Sequence, residues 1–125
     1  MDKEALAKIE KDIAGMHSHD PLIPYAIRDA LGWKETEDFY GFRNPMVSVD
    51  SALGFMKKAL PGAEYSITTL YGIAQVELPL NDSAGSFSTR REDGNVQLAI
   101  CQTVIKALVG CETPVALKSS TADTL

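Results

Sequence analysis

The chain has 125 residues, of which 45% are hydrophobic and 23% charged, and this is enough apolar content for one domain with its own core. Seventeen acidic residues against twelve basic ones give a net charge of −5, which disfavours nucleic-acid binding and adsorption to anionic membranes. The charged N-terminal segment and the absence of a long apolar run predict neither a secretory signal nor a membrane span.

The first predicted element is a helix over residues 2–16. Leu6, Ile9 and Ile13 recur at spacings of three and four and form a narrow apolar stripe on an otherwise charged surface. Such a stripe is typical either of the edge of a larger core or of a seam with a second copy. A homo-oligomer through these three residues is therefore one of two open interpretations. A short second helix follows and ends at Gly32.

An irregular acidic connector over residues 33–45 carries four of the nine aromatic residues. Trp33, Phe39 and Tyr40 are candidate anchors for a partner protein, because aromatic side chains often dominate protein interfaces. The same side chains are also compatible with a lid that folds over one end of the core. Both interpretations stay open at this point.

A third helix is predicted over residues 48–60, with Ser48 as its N-cap. Gly54 lies in the middle of this helix, where glycine costs about 1 kcal/mol relative to alanine. We therefore expect close packing of the helix against a sheet at Gly54.

The hydrophobic pattern then alternates with period two. It predicts strands over residues 65–70, 73–80 and 86–90, with a turn at Tyr71-Gly72 between the first two. A fourth helix follows over residues 95–109.

These elements predict an α+β fold in which an antiparallel sheet of about three strands is covered by the helices over residues 48–60 and 95–109. The domain spans residues 1–110, with its core in residues 20–110, and the polar tail 111–125 is expected to be flexible.

Reactive groups are few. Cys101 and Cys111 frame the last helix about 15 Å apart, too far for a disulfide, so free thiols and a cytoplasmic location are expected. Cys101 lies in the apolar stripe and is interpreted as structural. His17 and His19 form a weak metal motif that is better interpreted as a solvated loop. We predict no catalytic residue, no metal and no cofactor, and an enzyme is the less favoured class.

One candidate site for an anionic small molecule or nucleotide lies at the end of the third strand. It would consist of Ser88, Thr89, Arg90 and Arg91, next to the N-terminus of the last helix. The two acidic residues that follow place negative charge where the anion would bind, and they favour a solvated charged turn instead.

Three short segments resemble the phage ABA sandwich domain, a family of phage and prophage proteins of unknown function. They are Ile27-Arg28-Asp29-Ala30-Leu31-Gly32-Trp33, Ser48-Val49-Asp50-Ser51-Ala52 and Leu98-Ala99-Ile100-Cys101-Gln102. The resemblance covers about residues 20–110 and implies a helix–sheet–helix sandwich without catalytic residues.

The resemblance implies a non-catalytic cytoplasmic protein that binds a host or phage protein, with a host defence component as one candidate partner. The alternatives are sequestration of an anionic ligand and a role in virion assembly.

Overall fold

The computed structural model describes residues 1–16, 22–32, 48–79 and 86–110. Within these ranges it contains four helices and three strands: α1 (Lys3–Ala14), α2 (Ile23–Leu31), α3 (Val49–Ala59), β1 (Ser66–Leu70), β2 (Ile73–Pro79), β3 (Ser86–Arg91) and α4 (Val96–Gly110). The α+β class and the three-stranded antiparallel sheet are confirmed. The expected domain limits and the polar tail stay predictions, and the tail lies outside the described residues.

Local sequence signals determine where the helices begin. The Asp2 carboxylate accepts a hydrogen bond from the Ala5 amide at 3.0 Å at the start of α1. Ser48 caps α3 by accepting from the Ser51 amide at 3.1 Å, as its position in the sequence predicts. The Asn95 side chain accepts from the Leu98 amide at 3.0 Å in the first turn of α4. Each cap satisfies an amide that has no partner within its own helix.

The sheet has the order β1–β2–β3, and both pairings are antiparallel. Val76 in the central strand lies opposite Ile67 on one side and Thr89 on the other. Because residues directly opposite each other share a face, these three side chains belong to the inner face of the sheet. The outer face carries the alternate residues, which are exposed or half-buried.

Helix α4 lies at the centre of the domain. It packs against β2 and β3 on one side and against α1 and α3 on the others. A helix surrounded in this way is mostly apolar around its circumference, and nine of its fifteen residues are buried, seven of them hydrophobic. The sequence predicts α3 as a second cover for the sheet, but the main contact of α3 is with α4. The described layers are therefore the sheet, then α4, then α1 and α3.

The stripe on α1 belongs to this core. Leu6 and Ile13 are fully buried and Ile9 is 6% exposed, and α1 packs against α4. Of the two interpretations of the stripe, this burial favours the core, because the three side chains would have to leave α4 to reach a second copy. Homo-oligomerisation through Leu6, Ile9 and Ile13 stays a prediction.

The expectation for Gly54 is wrong. This residue is exposed, and a Cβ atom built on it would meet no atom of the described residues within 4 Å. The glycine is therefore not required by close packing. None of the described helices combines the length and the apolar character that a membrane crossing requires.

Candidate functional site

The four residues predicted to bind an anion are divided between the two faces of the sheet. Thr89 and Arg91 are buried on the inner face, at 4% and 6% exposure, whereas Ser88 and Arg90 are exposed. Consecutive residues of a strand point in opposite directions, so this separation follows directly from their adjacency in β3. The structure does not bring the four side chains together into one pocket.

Arg91 is held inside the protein. Its guanidinium group donates to the Ile13 carbonyl at 3.0 Å, to the Met16 carbonyl and to the Gln102 side-chain oxygen at 2.5 Å. It also forms a two-pronged ion pair with Asp93, through Nε at 3.0 Å and a terminal nitrogen at 2.6 Å. These contacts occupy all five N–H groups that an arginine can donate.

The contacts of Arg91 explain its burial. The Ile13 carbonyl belongs to the last turn of α1 and the Met16 carbonyl follows the C-cap Gly15, so both lie at the negative end of the helix dipole. The Asp93 carboxylate balances the remaining positive charge. Arg91 therefore joins the end of β3 to the end of α1, and its donors are already used when a ligand arrives.

Thr89 is also part of the core. Its hydroxyl is hydrogen-bonded to the Thr103 hydroxyl at 2.8 Å, and Thr103 donates to the Ala99 carbonyl at 2.7 Å. Among the described residues, no buried side-chain nitrogen or oxygen lacks a partner. Of the four predicted residues, Arg90 and Ser88 are the ones whose positions leave them accessible to a ligand. Anion binding stays a prediction, and of the four residues only Ser88 and Arg90 are exposed enough to contact an anion directly.

Cys101 is inert by position. It is fully buried in α4, and desolvation by burial raises the pKa of its thiol far above the ordinary value. A thiol that stays protonated is neither a nucleophile nor a metal ligand. This agrees with its interpretation as a structural cysteine, and Cys101 is not part of a disulfide.

Other predicted site residues lie outside the described residues. They are the partner-binding candidates Trp33, Phe39 and Tyr40, together with His17, His19 and Cys111. Across the four described ranges, no group of three or more His, Cys, Asp or Glu side chains is arranged to hold a metal ion.

The most unusual exposed feature is the turn between β1 and β2. Tyr71 is 93% exposed and adopts φ +53°, and Gly72 follows with φ +77°. Two consecutive positive φ angles in a two-residue loop define a type I′ hairpin turn, which normally contains asparagine, aspartate or glycine. A bulky aromatic residue in this left-handed conformation is strained, and Tyr71 buries almost nothing in return.

The turn is supported from one side. A Cβ atom on Gly94 would lie 2.7 Å from the Gly72 carbonyl oxygen, so the loop after β3 contacts the hairpin backbone directly. Leu70 is 61% exposed beside Tyr71. We call Leu70 and Tyr71 the hairpin tip. Sequence reasoning located the turn but overlooked its significance, although tyrosine in place of asparagine before glycine was a usable signal.

Comparisons of the chain with protein-family models, with curated proteins and with solved structures find no match in any of the three.

Proposed function

We propose that this chain is a non-catalytic binding protein of phage or prophage origin that acts in the host cytoplasm by occupying the surface of another protein. The observation that carries the binding role is Tyr71, an aromatic side chain held in a strained conformation and presented to solvent. Strain without a packing benefit is a reason to look for a function at that residue.

Tyrosine is well suited to this role. It offers a large contact area with few rotatable bonds and a hydroxyl for one directional hydrogen bond, and it is enriched among the residues that dominate binding energy. The supported type I′ turn fixes its backbone, so little conformational freedom is lost on binding. Leu70 extends the apolar contact at the same end of the hairpin.

The phage origin rests on the resemblance of three segments, which lie in and beside α2, at the start of α3 and in α4. These segments contribute buried residues such as Ile27, Ala52 and Leu98. The three segments support the proposed phage origin, and the hairpin tip supports the proposed binding role. The two parts of the proposal can therefore fail separately.

The test is affinity capture from the native host with three forms of the chain: wild type, Tyr71→Asn and Tyr25→Asn. Tyr25 is also an exposed tyrosine, at 45%, but it lies in the regular helix α2 and its ring is stacked 5.2 Å from Arg28. It therefore provides the same chemical change on another surface. A partner identified in this way is then titrated calorimetrically against all three purified forms.

We expect wild type and Tyr25→Asn to bind the same partner, and Tyr71→Asn to bind it at least about 30-fold more weakly, the effect of losing a dominant contact residue. Equal affinity of all three forms would exclude Tyr71 as the anchor. Failure of wild type to retain any host protein would refute the binding role.

A further inference from the structure

We propose that the chain forms a two-fold symmetric dimer in which β1 pairs with β1 of a second copy. The hairpin tip shares Leu70 with β1, but the proposal is argued from Ile67, Thr68 and Thr69 and does not depend on partner binding. It rests on the edge of β1 that no described strand pairs with, on the lack of charge in β1 and on the register in which two copies can pair.

The two edges of the described sheet differ in their protection. On β3, the Lys106 ammonium group donates to the Ser88 carbonyl at 3.0 Å, and the strand ends in Arg90 and Arg91. Charged side chains and covered backbone groups are common devices against edge pairing. The sequence of β1 is Ser-Ile-Thr-Thr-Leu, which has no charge, no proline and no glycine.

The backbone of β1 offers hydrogen-bonding groups at its outer edge. In a hairpin with a two-residue loop, the flanking residues Leu70 and Ile73 form a hydrogen-bonded pair. Hydrogen-bonded and non-hydrogen-bonded pairs alternate along an antiparallel ladder. The backbone groups of Ile67 and Thr69 therefore point away from β2, and four of the five β1 residues are exposed.

These directions select a register. If the two-fold axis passes beside Thr68, Ile67 of each copy lies opposite Thr69 of the other. Both residues then direct at the partner strand the N–H and C=O groups that β2 does not use. Two hydrogen-bonded pairs result, with four backbone hydrogen bonds. Thr68 then faces the Thr68 of the second copy in a non-hydrogen-bonded pair, where side chains approach closely and threonine hydroxyls bond well.

Charge makes a second copy the favoured occupant of this edge. In a two-fold antiparallel pair the residue on the axis faces its own copy and the residues beside it lie diagonal to theirs, so a charge there would lie close to a like charge. The uncharged β1 avoids this repulsion, although the chain as a whole carries −5. Because β3 is protected, pairing through β1 stops at two copies and does not continue into a filament.

The first test is the molar mass of the full chain in solution by light scattering or sedimentation, over about 1 µM to 1 mM protein. We expect the mass to rise from 13.5 kDa towards twice that value with concentration. Thr68→Lys places two ammonium groups opposite each other and should keep the chain monomeric. Ser88→Lys adds the same charge on the exposed outer face of β3 and should leave the dimer intact.

The second test reports the register directly. In a Cys111→Ser background, Thr68→Cys should form an intermolecular disulfide under mild oxidation, because Cα atoms in a non-hydrogen-bonded pair lie about 4.5 Å apart. Thr69→Cys should not, since its counterpart lies two residues further along the partner strand. A monomer at every concentration, or equal cross-linking of both variants, would overturn the proposal.

Discussion

Replacing Tyr71 by asparagine should make the protein more stable. The side chain is 93% exposed, so its removal forfeits almost no buried apolar surface. The φ angle of +53° costs an ordinary L-residue about 1–2 kcal/mol, and asparagine tolerates this conformation better than other non-glycine residues. We expect a net gain of about 1 kcal/mol in the free energy of unfolding. For a chain of this length, that gain corresponds to a rise of roughly 3–6 °C in Tm.

The assay is urea denaturation followed by circular dichroism, with thermal unfolding of the same samples. The urea midpoint should rise at constant slope, because the surface exposed on unfolding does not change. Tyr25→Asn should move the midpoint slightly the other way, since it loses the ring contact with Arg28 and some helix propensity. An unchanged or lower midpoint for Tyr71→Asn would refute the strain argument. Higher stability together with weaker partner binding would separate the binding role of Tyr71 from any structural one.

Three further predictions concern the core and the helices. Arg91→Met should lower the free energy of unfolding, measured by urea denaturation, by about 3–5 kcal/mol, because it leaves the carboxylate and carbonyl partners of the guanidinium unpaired. The exposed Arg90→Met is the control and should change the free energy of unfolding by less than about 0.5 kcal/mol. Gly54→Ala should raise the free energy of unfolding by about 0.5–1 kcal/mol. A lower free energy of unfolding would mean that the added methyl group clashes in solution, contrary to the open space that the described residues leave around it. With Cys111 replaced by serine, Cys101 should resist thiol reagents in the native state and react fully in urea. The raised pKa of Cys101 also predicts that the free energy of unfolding falls above about pH 9, because the thiol ionises in the unfolded chain and stays protonated in the folded one. Cys101→Ala should remove this part of the pH dependence.

The sequence identifies the four residues proposed to bind an anion but does not show which of their side chains lie together. Adjacent arginines beside a helix N-terminus suggest an anion pocket, and the predicted strand over residues 86–90 already places Thr89 on the face opposite to Ser88 and Arg90. What sequence could not provide is the destination of the Arg91 side chain. Its partners Ile13 and Met16 lie 78 and 75 residues away in the chain, and no local pattern announces a contact over that distance.

Local chemistry was sufficient for the secondary structure. Capping residues, a glycine after α2 and the change from a helical period to a period of two place the described helices and strands, because each depends on hydrogen bonds between residues a few positions apart. The same information predicts the α+β class and the order of the strands, since short connections favour antiparallel neighbours.

Tertiary structure decided which apolar surface meets which. A stripe such as Leu6, Ile9 and Ile13 shows that one face of a helix must be buried, but the hydrophobic effect is non-directional, and a second subunit would satisfy it as well as α4 does. Within the described part of the chain, the central position of α4, the exposure of β1 and the exposure of Tyr71 likewise follow from how the layers stack. They depend on contacts between distant segments, which the periodicity of one segment cannot specify.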